Sequence, residues 1–179
     1  MATPDLGNLS LFKGVVKFMP IDEGVYRDLG EMSEFTTSME VDPIRYFSRR
    51  HSSRVPVKTD SSTKTMTCTF TMSEMAPENL GIWLMAEQEG SPGFWSIGTK
   101  SEVRGAIRVV GTNEVGKAYQ LDLYDVSLTP AGDLSWLTDT DWSEAQVTGS
   151  VNADRNSGSF GTLVEIVAGT EQTMGSPAI

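Results

Sequence analysis

Cysteine and histidine are almost missing from this chain: Cys68 and His51 each stand alone. A single cysteine excludes an intrachain disulfide and any zinc site built on several thiolates, so folding does not require an oxidising compartment. A single histidine, with no cysteine or second histidine beside it, excludes a paired-histidine metal centre. A Ser-His-Asp triad would have to use His51, and no G-x-S-x-G elbow accompanies it. No apolar run approaches the ~18 residues that a membrane-spanning helix needs. The opening "MATPDLGNLSLFKG" has no basic stretch leading into an apolar one, so no secretory leader is expected. The Gly-rich stretches "GSPGFWSIG" and "GSFGTLVEIVAG" do not connect a strand to a helix, as a phosphate cradle must. No enzymatic activity and no cofactor are expected.

Positive charge is also scarce, with 14 Lys and Arg against 24 Asp and Glu and a net charge of -10. That balance opposes nucleic-acid reading, which needs a basic face to neutralise phosphates. The few cations are unevenly placed. Residues 44–58 hold Arg45, Arg49, Arg50, Arg54 and Lys58 with no acid among them, whereas residues 111–179 carry ten acids and two bases.

What the chain has in quantity is strand signal. In "TKTMTCTFTM", Thr65, Thr67, Thr69 and Thr71 alternate with Met66, Cys68, Phe70 and Met72, which puts hydroxyls on one face of a strand and apolar groups on the other. β-Branched threonine favours the extended backbone. "EMSEFTTSMEV" repeats the pattern, with Glu34, Thr36, Ser38 and Glu40 opposite Phe35, Thr37, Met39 and Val41. These two strands are expected to pair as a hairpin whose connection, residues 42–62, is a loop of unusual length; such loops tend to be functional. "GVVKFMPI", "FWSIG", "EVRGAIRVVG", "YQLDLYDVSL", "AQVTGSV" and "GTLVEIVA" read as further strands. Residues 76–89 read as the one helix, with Pro77 and Glu78 in its first turn and Leu80, Trp83 and Leu84 at helical spacing. Residues 169–179 read as a mobile tail. The whole chain, 1–179, is expected to be a single mainly β domain.

"GVVKF" followed by "DLGEMSEFTTSMEVDPIRYFSRRHSSRVPVKTDSSTKTMTCTFTMSEMAPENLGIWL" resembles the major tail tube proteins of long, non-contractile-tailed bacteriophages (siphophages). The resemblance is carried by the long strand entered through "LG", the aromatic and basic loop, the threonine-alternating return strand and the "ENL" opening of a helix; it covers residues 14 to about 90. It implies a β-sandwich or half-barrel with one flanking helix. Six such subunits form a ring whose strands join into a continuous β-barrel, and rings stack into a tube that conducts DNA from capsid to host. It further implies an inter-ring role for Arg45, Tyr46, Phe47, Arg49, Arg50, His51, Arg54 and Lys58. Glu34, Thr36, Ser38, Glu40, Thr65, Thr67, Thr69 and Thr71 would face the lumen. Implied partners are other copies of the chain and the tape measure, tail terminator and distal tail proteins, in a virion tail assembled in the host bacterial cytoplasm, with no membrane involved. DNA would pass without specific binding.

Two other readings stay open on the residues. One is a monomeric β-sandwich that binds carbohydrate on Trp136 and Trp142 with nearby acids, aromatics at strand ends being more often core or interface groups. The other is the tube of a contractile or secretion-type machine. Asp139 and Asp141 in "TDTDWSE" read as a solvated turn ahead of a calcium site, since the EF-hand glycine and terminal glutamate are missing. Cys68, alternating with apolar residues, reads as a packing group.

Overall fold

A computed structural model of the protein describes residues 12–48, 55–90, 93–113 and 115–172. Apolar and β-branched runs become ten strands and one helix in chain order. They are β1 (Gly14–Pro20), β2 (Arg27–Asp28), β3 (Met32–Ser48), β4 (Val55–Met72), α1 (Pro77–Trp83), β5 (Glu87–Gln88), β6 (Trp95–Ser96), β7 (Val103–Gly111), β8 (Ala118–Ala131), β9 (Ala145–Asn152) and β10 (Gly161–Ile166). Eight of them make one antiparallel sheet ordered β2-β1-β7-β8-β9-β4-β3, with β10 on β8; β5 and β6 form a separate two-stranded pair. The fold is mainly β, as expected, and the sheet is not closed into a barrel.

β8 organises the sheet by giving one of its edges to two strands in turn. Its first half, up to Leu123, pairs with β10, and from Asp125 onward it pairs with β9. The sheet therefore curls, and side chains from its inner face fill one core. Phe18, Phe70, Met72, Ile107, Leu123, Val126, Leu128 and Val147 are all buried there. β3 comes round to face β1, β7, β8 and β10 across an open cleft of about 570 Å³, lined by Val16, Phe35, Val109, Leu121 and Leu163 among others. This cleft marks where the curl stops short of closure.

Three expectations need correction. The connection from residue 42 to 62 is not a long loop, because β3 and β4 stay paired to Ser48 and Val55. Over residues 41–47 and 59–65 both faces of this ribbon meet water, so no hydrophobic alternation reveals it. Register shifts at Asp42/Pro43 and Tyr46/Phe47 absorb the irregularity, which is how an edge strand tolerates Pro43. The helix ends at Trp83 rather than at 89, because Met85 turns to φ 50° and residues 87–88 are taken by β6. Residues 169–172 are held to the body, where Gly169 N–H donates to Gly111 O at 2.9 Å and Gln172 N–H to Gln120 Oε1 at 2.9 Å.

The outer face of β1, β7 and β8 carries charge that is neutralised in place. Arg108 donates from Nε to Asp122 Oδ1 at 2.6 Å and from Nη2 to Oδ2 at 3.3 Å, and its guanidinium lies 4.4 Å from the ring centre of Tyr26. Glu171 pairs with Lys17. Asn79, buried in the first turn of α1, donates to Leu29 O at 2.8 Å and to Glu74 O at 3.0 Å. The short helix is thereby tied to the strand-to-helix connection, although Ala76 offers no side-chain cap.

Gly149 sits where β9 passes closest to the core side chains. A Cβ there would lie 2.5 Å from Val126 Cγ1 and 2.7 Å from Cys68 Sγ, and neither short side chain can swing away. Gly149→Ala is expected to destabilise the fold by about 1–3 kcal/mol through overpacking, read as a lower urea midpoint with unchanged slope. Burial pushes the Cys68 thiol up to about 11. The folded protein is therefore expected to resist a thiol reagent at pH 8 and to take up one equivalent once unfolded, since the thiolate is the reactive form.

Candidate functional site

The register of β3 with β4 places the anticipated polar residues opposite one another. Glu34 pairs with Thr71, Thr36 with Thr69, Ser38 with Thr67 and Glu40 with Thr65. Their side chains are exposed or half-buried, while Cys68, Phe70 and Met72 between them are buried. Phe35 stacks on Phe70 with ring centres 6.1 Å apart, and this contact fixes the register, since a slip of one residue would turn every group to the wrong face.

The polar face extends further than the two strands that announced it. β9 continues it through Thr67↔Ser150, Thr69↔Thr148 and Thr71↔Gln146. β8 adds Ser127, Thr129 and Ala131 opposite those same three residues. One transverse row thus runs Ser38, Thr67, Ser150, Ser127, and the next runs Thr36, Thr69, Thr148, Thr129. Some hydroxyls satisfy the sheet itself: Thr36 Oγ1 donates to Thr69 O at 3.3 Å and Thr129 Oγ1 to Thr148 O at 3.1 Å. The signal for β9 was available in "QVTGS", but its glycine breaks the hydrophobic alternation that made β4 obvious.

The first row ends on β7, where Arg104 pairs with Ser127. Its charge is cancelled by a fork-to-carboxylate contact with Asp125, Nε to Oδ1 at 2.6 Å and Nη2 to Oδ2 at 2.5 Å. Ser127 Oγ donates to Glu102 Oε1 at 2.5 Å. Among the named row residues on described strands, Arg104 is the one cation and it is paired, so Glu34 and Glu40 give the face its charge.

The ribbon then outruns its support. β4 pairs with β9 only over Met66–Met72, so Val55–Thr65 and the facing part of β3 project as a two-stranded arm of roughly 35 Å. Val41, Ile44, Tyr46 and Phe47 are exposed along it, and so is Met39 at its base, opposite Met66. Among the described strands the outer edge of β3 pairs with nothing, and a strand of 17 residues with a free edge is a template for addition of another strand. Of the anticipated arm residues, Arg45 lies opposite Thr59, Tyr46 opposite Lys58 and Phe47 opposite Pro56. Arg49, Arg50, His51 and Arg54 fall outside the described residues.

Trp136 and Trp142 both stand exposed in the segment joining β8 to β9, with Asp139 and Asp141 between them. Among the described residues no three His, Cys, Asp or Glu side chains are grouped to hold a metal, and no helix is long and apolar enough to cross a membrane.

No family model matches the chain, and no curated protein matches it by sequence. The fold does match a solved one, a chain in the cryo-EM structure of the anti-feeding prophage (AFP) baseplate, 6-fold symmetrised. The two share 11% identity at a TM-score of 0.50, over 92% of this chain and 97% of that one. The likeness is one of fold over nearly the full length of both.

The Arg104–Asp125 pair makes a pH-dependent contribution. Arg104 holds the Asp125 carboxyl below its ordinary range, against the opposing effect of burial. A carboxyl depressed in the folded state stabilises above the unfolded value of about 3.9, and that gain is lost as pH falls through the folded value. Asp125→Asn is expected to cost about 1 kcal/mol at pH 7, a modest figure because Arg104 stays open to water. The difference from wild type should shrink towards zero in urea unfolding below pH 3.

Proposed function

We propose that the chain is a structural subunit of a phage-type tail tube, six copies forming a ring and rings stacking into a conduit for DNA. The observation that carries this reading is the hydroxyl-rich, acid-bearing face spread over β3, β4, β9 and β8. It is uniform and holds no unpaired cation among its named residues. As the lining of a channel it would let a polyphosphate slide, because Glu34 and Glu40 repel it and the hydroxyls supply only weak contacts. Tube assembly also accounts for the two features that are liabilities in a lone subunit, the free β3 edge and the exposed apolar side of the arm. Joined across the ring, the edges would close into a barrel and disappear.

The AFP chain with the same fold belongs to a baseplate described with sixfold symmetry, which supports a sixfold tail-type assembly with other tail proteins as partners. It also favours a second reading, a place at the baseplate end of such a tail rather than along its length. A tail in a virion, built in the host bacterial cytoplasm, is the setting either reading implies. Gold-labelled antibody against the protein would separate them, decorating the whole tail in the first case and one tip in the second.

Purified protein at high concentration is expected to form rings or tubes in negative-stain micrographs, and a strictly monomeric protein would overturn the proposal. Glu34→Lys with Glu40→Lys is expected to leave tail length unchanged while slowing DNA release, because the wall would then attract phosphate. Normal release from normal tails would remove these two residues from the lumen. Failure to assemble would place them at a subunit contact.

A further inference from the structure

The tube reading leaves open which surface receives the projecting arm, and the sheet's own geometry answers it. β4 is 18 residues long, about 55–60 Å when extended. Its arm end, at Val55, lies beyond the Val151 end of β9; its other end, at Met72, lies beside Ala145. Ala131, where β8 finishes, also sits at that second end, opposite Gln146. The segment from Gly132 to Glu144 that links β8 to β9 is therefore at the opposite pole of the subunit from the arm tip.

The two poles are complementary. The β8–β9 segment exposes Leu137 at 96%, Trp142 at 94% and Trp136 at 63%, and it holds Asp133, Asp139, Asp141 and Glu144 with no Lys or Arg. None of these four carboxylates is in an ion pair with a described residue. At the other pole Ile44, Arg45 and Tyr46 are exposed, and the sequence of residues 44–58, part of which lies outside the described residues, carries five cations and no acid. Large apolar side chains standing in water and ringed by one sign of charge mark a protein-binding surface. A cationic, aromatic strand ribbon is its match in both respects.

We infer that the β8–β9 segment, through Trp136, Leu137 and Trp142 with Asp139, Asp141 and Glu144, is the docking site for the arm tip of a second copy. This inference rests on the tube reading and adds the contact that would hold successive rings together. Complementary patches at opposite poles of one molecule make a head-to-tail contact, which propagates as an open polymer and does not close into a dimer. Opposite charge sets the register and speeds encounter, while the tryptophans supply the buried anchors.

The test is charge reversal with rescue in the full-length chain. Asp139→Lys, Asp141→Lys and Glu144→Lys together are expected to raise the concentration needed for polymerisation by about tenfold or more, with circular dichroism unchanged. Arg49→Glu, Arg50→Glu and Arg54→Glu together should do the same. Either variant alone fails, and an equimolar mixture of the two recovers, because each then presents the pole that the other lacks. Independently of any variant, hydroxyl-radical footprinting of wild type should show Trp142 and Trp136 oxidised in monomer and protected in polymer. Wild-type tubes with both tryptophans still reactive, or tubes formed as readily by either charge-reversed variant alone, would overturn the docking while leaving the tube reading intact. A wild-type chain that never polymerises would overturn both.

Discussion

Everything distinctive about the molecule depends on the pairing of β4 with β9 over Met66–Met72. That short ladder buries Cys68, Phe70 and Met72 against Val147 and Val126 and so dictates which way every threonine of β4 points. It also sets where support ends. Past Met66 the ribbon has no third strand among those described, and the side chains of residues 41–47 and 59–65 stand in water on both faces. One packing constraint thus produces a smooth polar wall on the body and an exposed arm beyond it.

The wall and the arm have opposite physical characters. The wall is short hydroxyls and two glutamates, with Thr36 and Thr129 donating to carbonyls of the sheet itself. The arm bears cations and large apolar side chains that gain by leaving water. A non-adhesive face beside an adhesive extension is what the proposed tube assembly would require. On the docking inferred above, the acidic segment with its tryptophans at the far pole would receive that extension. The Arg108–Asp122 and Arg104–Asp125 contacts pair charge on β7 and β8.

Much of this was legible before the fold was known, and the failures are instructive. β4 was unmistakable because one of its faces is buried and the other wet, which writes a period of two into the sequence. The faces of Glu34 to Glu40 and Thr65 to Thr71 followed from parity and stand opposite each other in the structure. The arm was mistaken for a loop for the complementary reason: with both faces in water, Arg45, Tyr46 and Phe47 show no alternation, and pairing alone makes them a strand. β9 and β8 hide their share of the wall because Gly149 and the Asp122-Leu123-Tyr124-Asp125 run of β8 interrupt the pattern. The helix was overextended because Leu80, Trp83 and Leu84 signal a period without revealing that Met85 would reverse the chain. The inter-ring role of the arm was implied by resemblance, and the fold adds only that the arm projects.

The central claim is that the face of β3, β4, β9 and β8 lines a closed channel. A cryo-EM reconstruction of the assembled protein tests it most directly, by locating Thr67, Ser150 and Ser127 relative to the axis. The account predicts all three on the inner wall of a continuous barrel, with the β3 edge hydrogen-bonded to a neighbouring subunit. A reconstruction that puts this face on the outer surface, or leaves the β3 edge open to solvent, would contradict it.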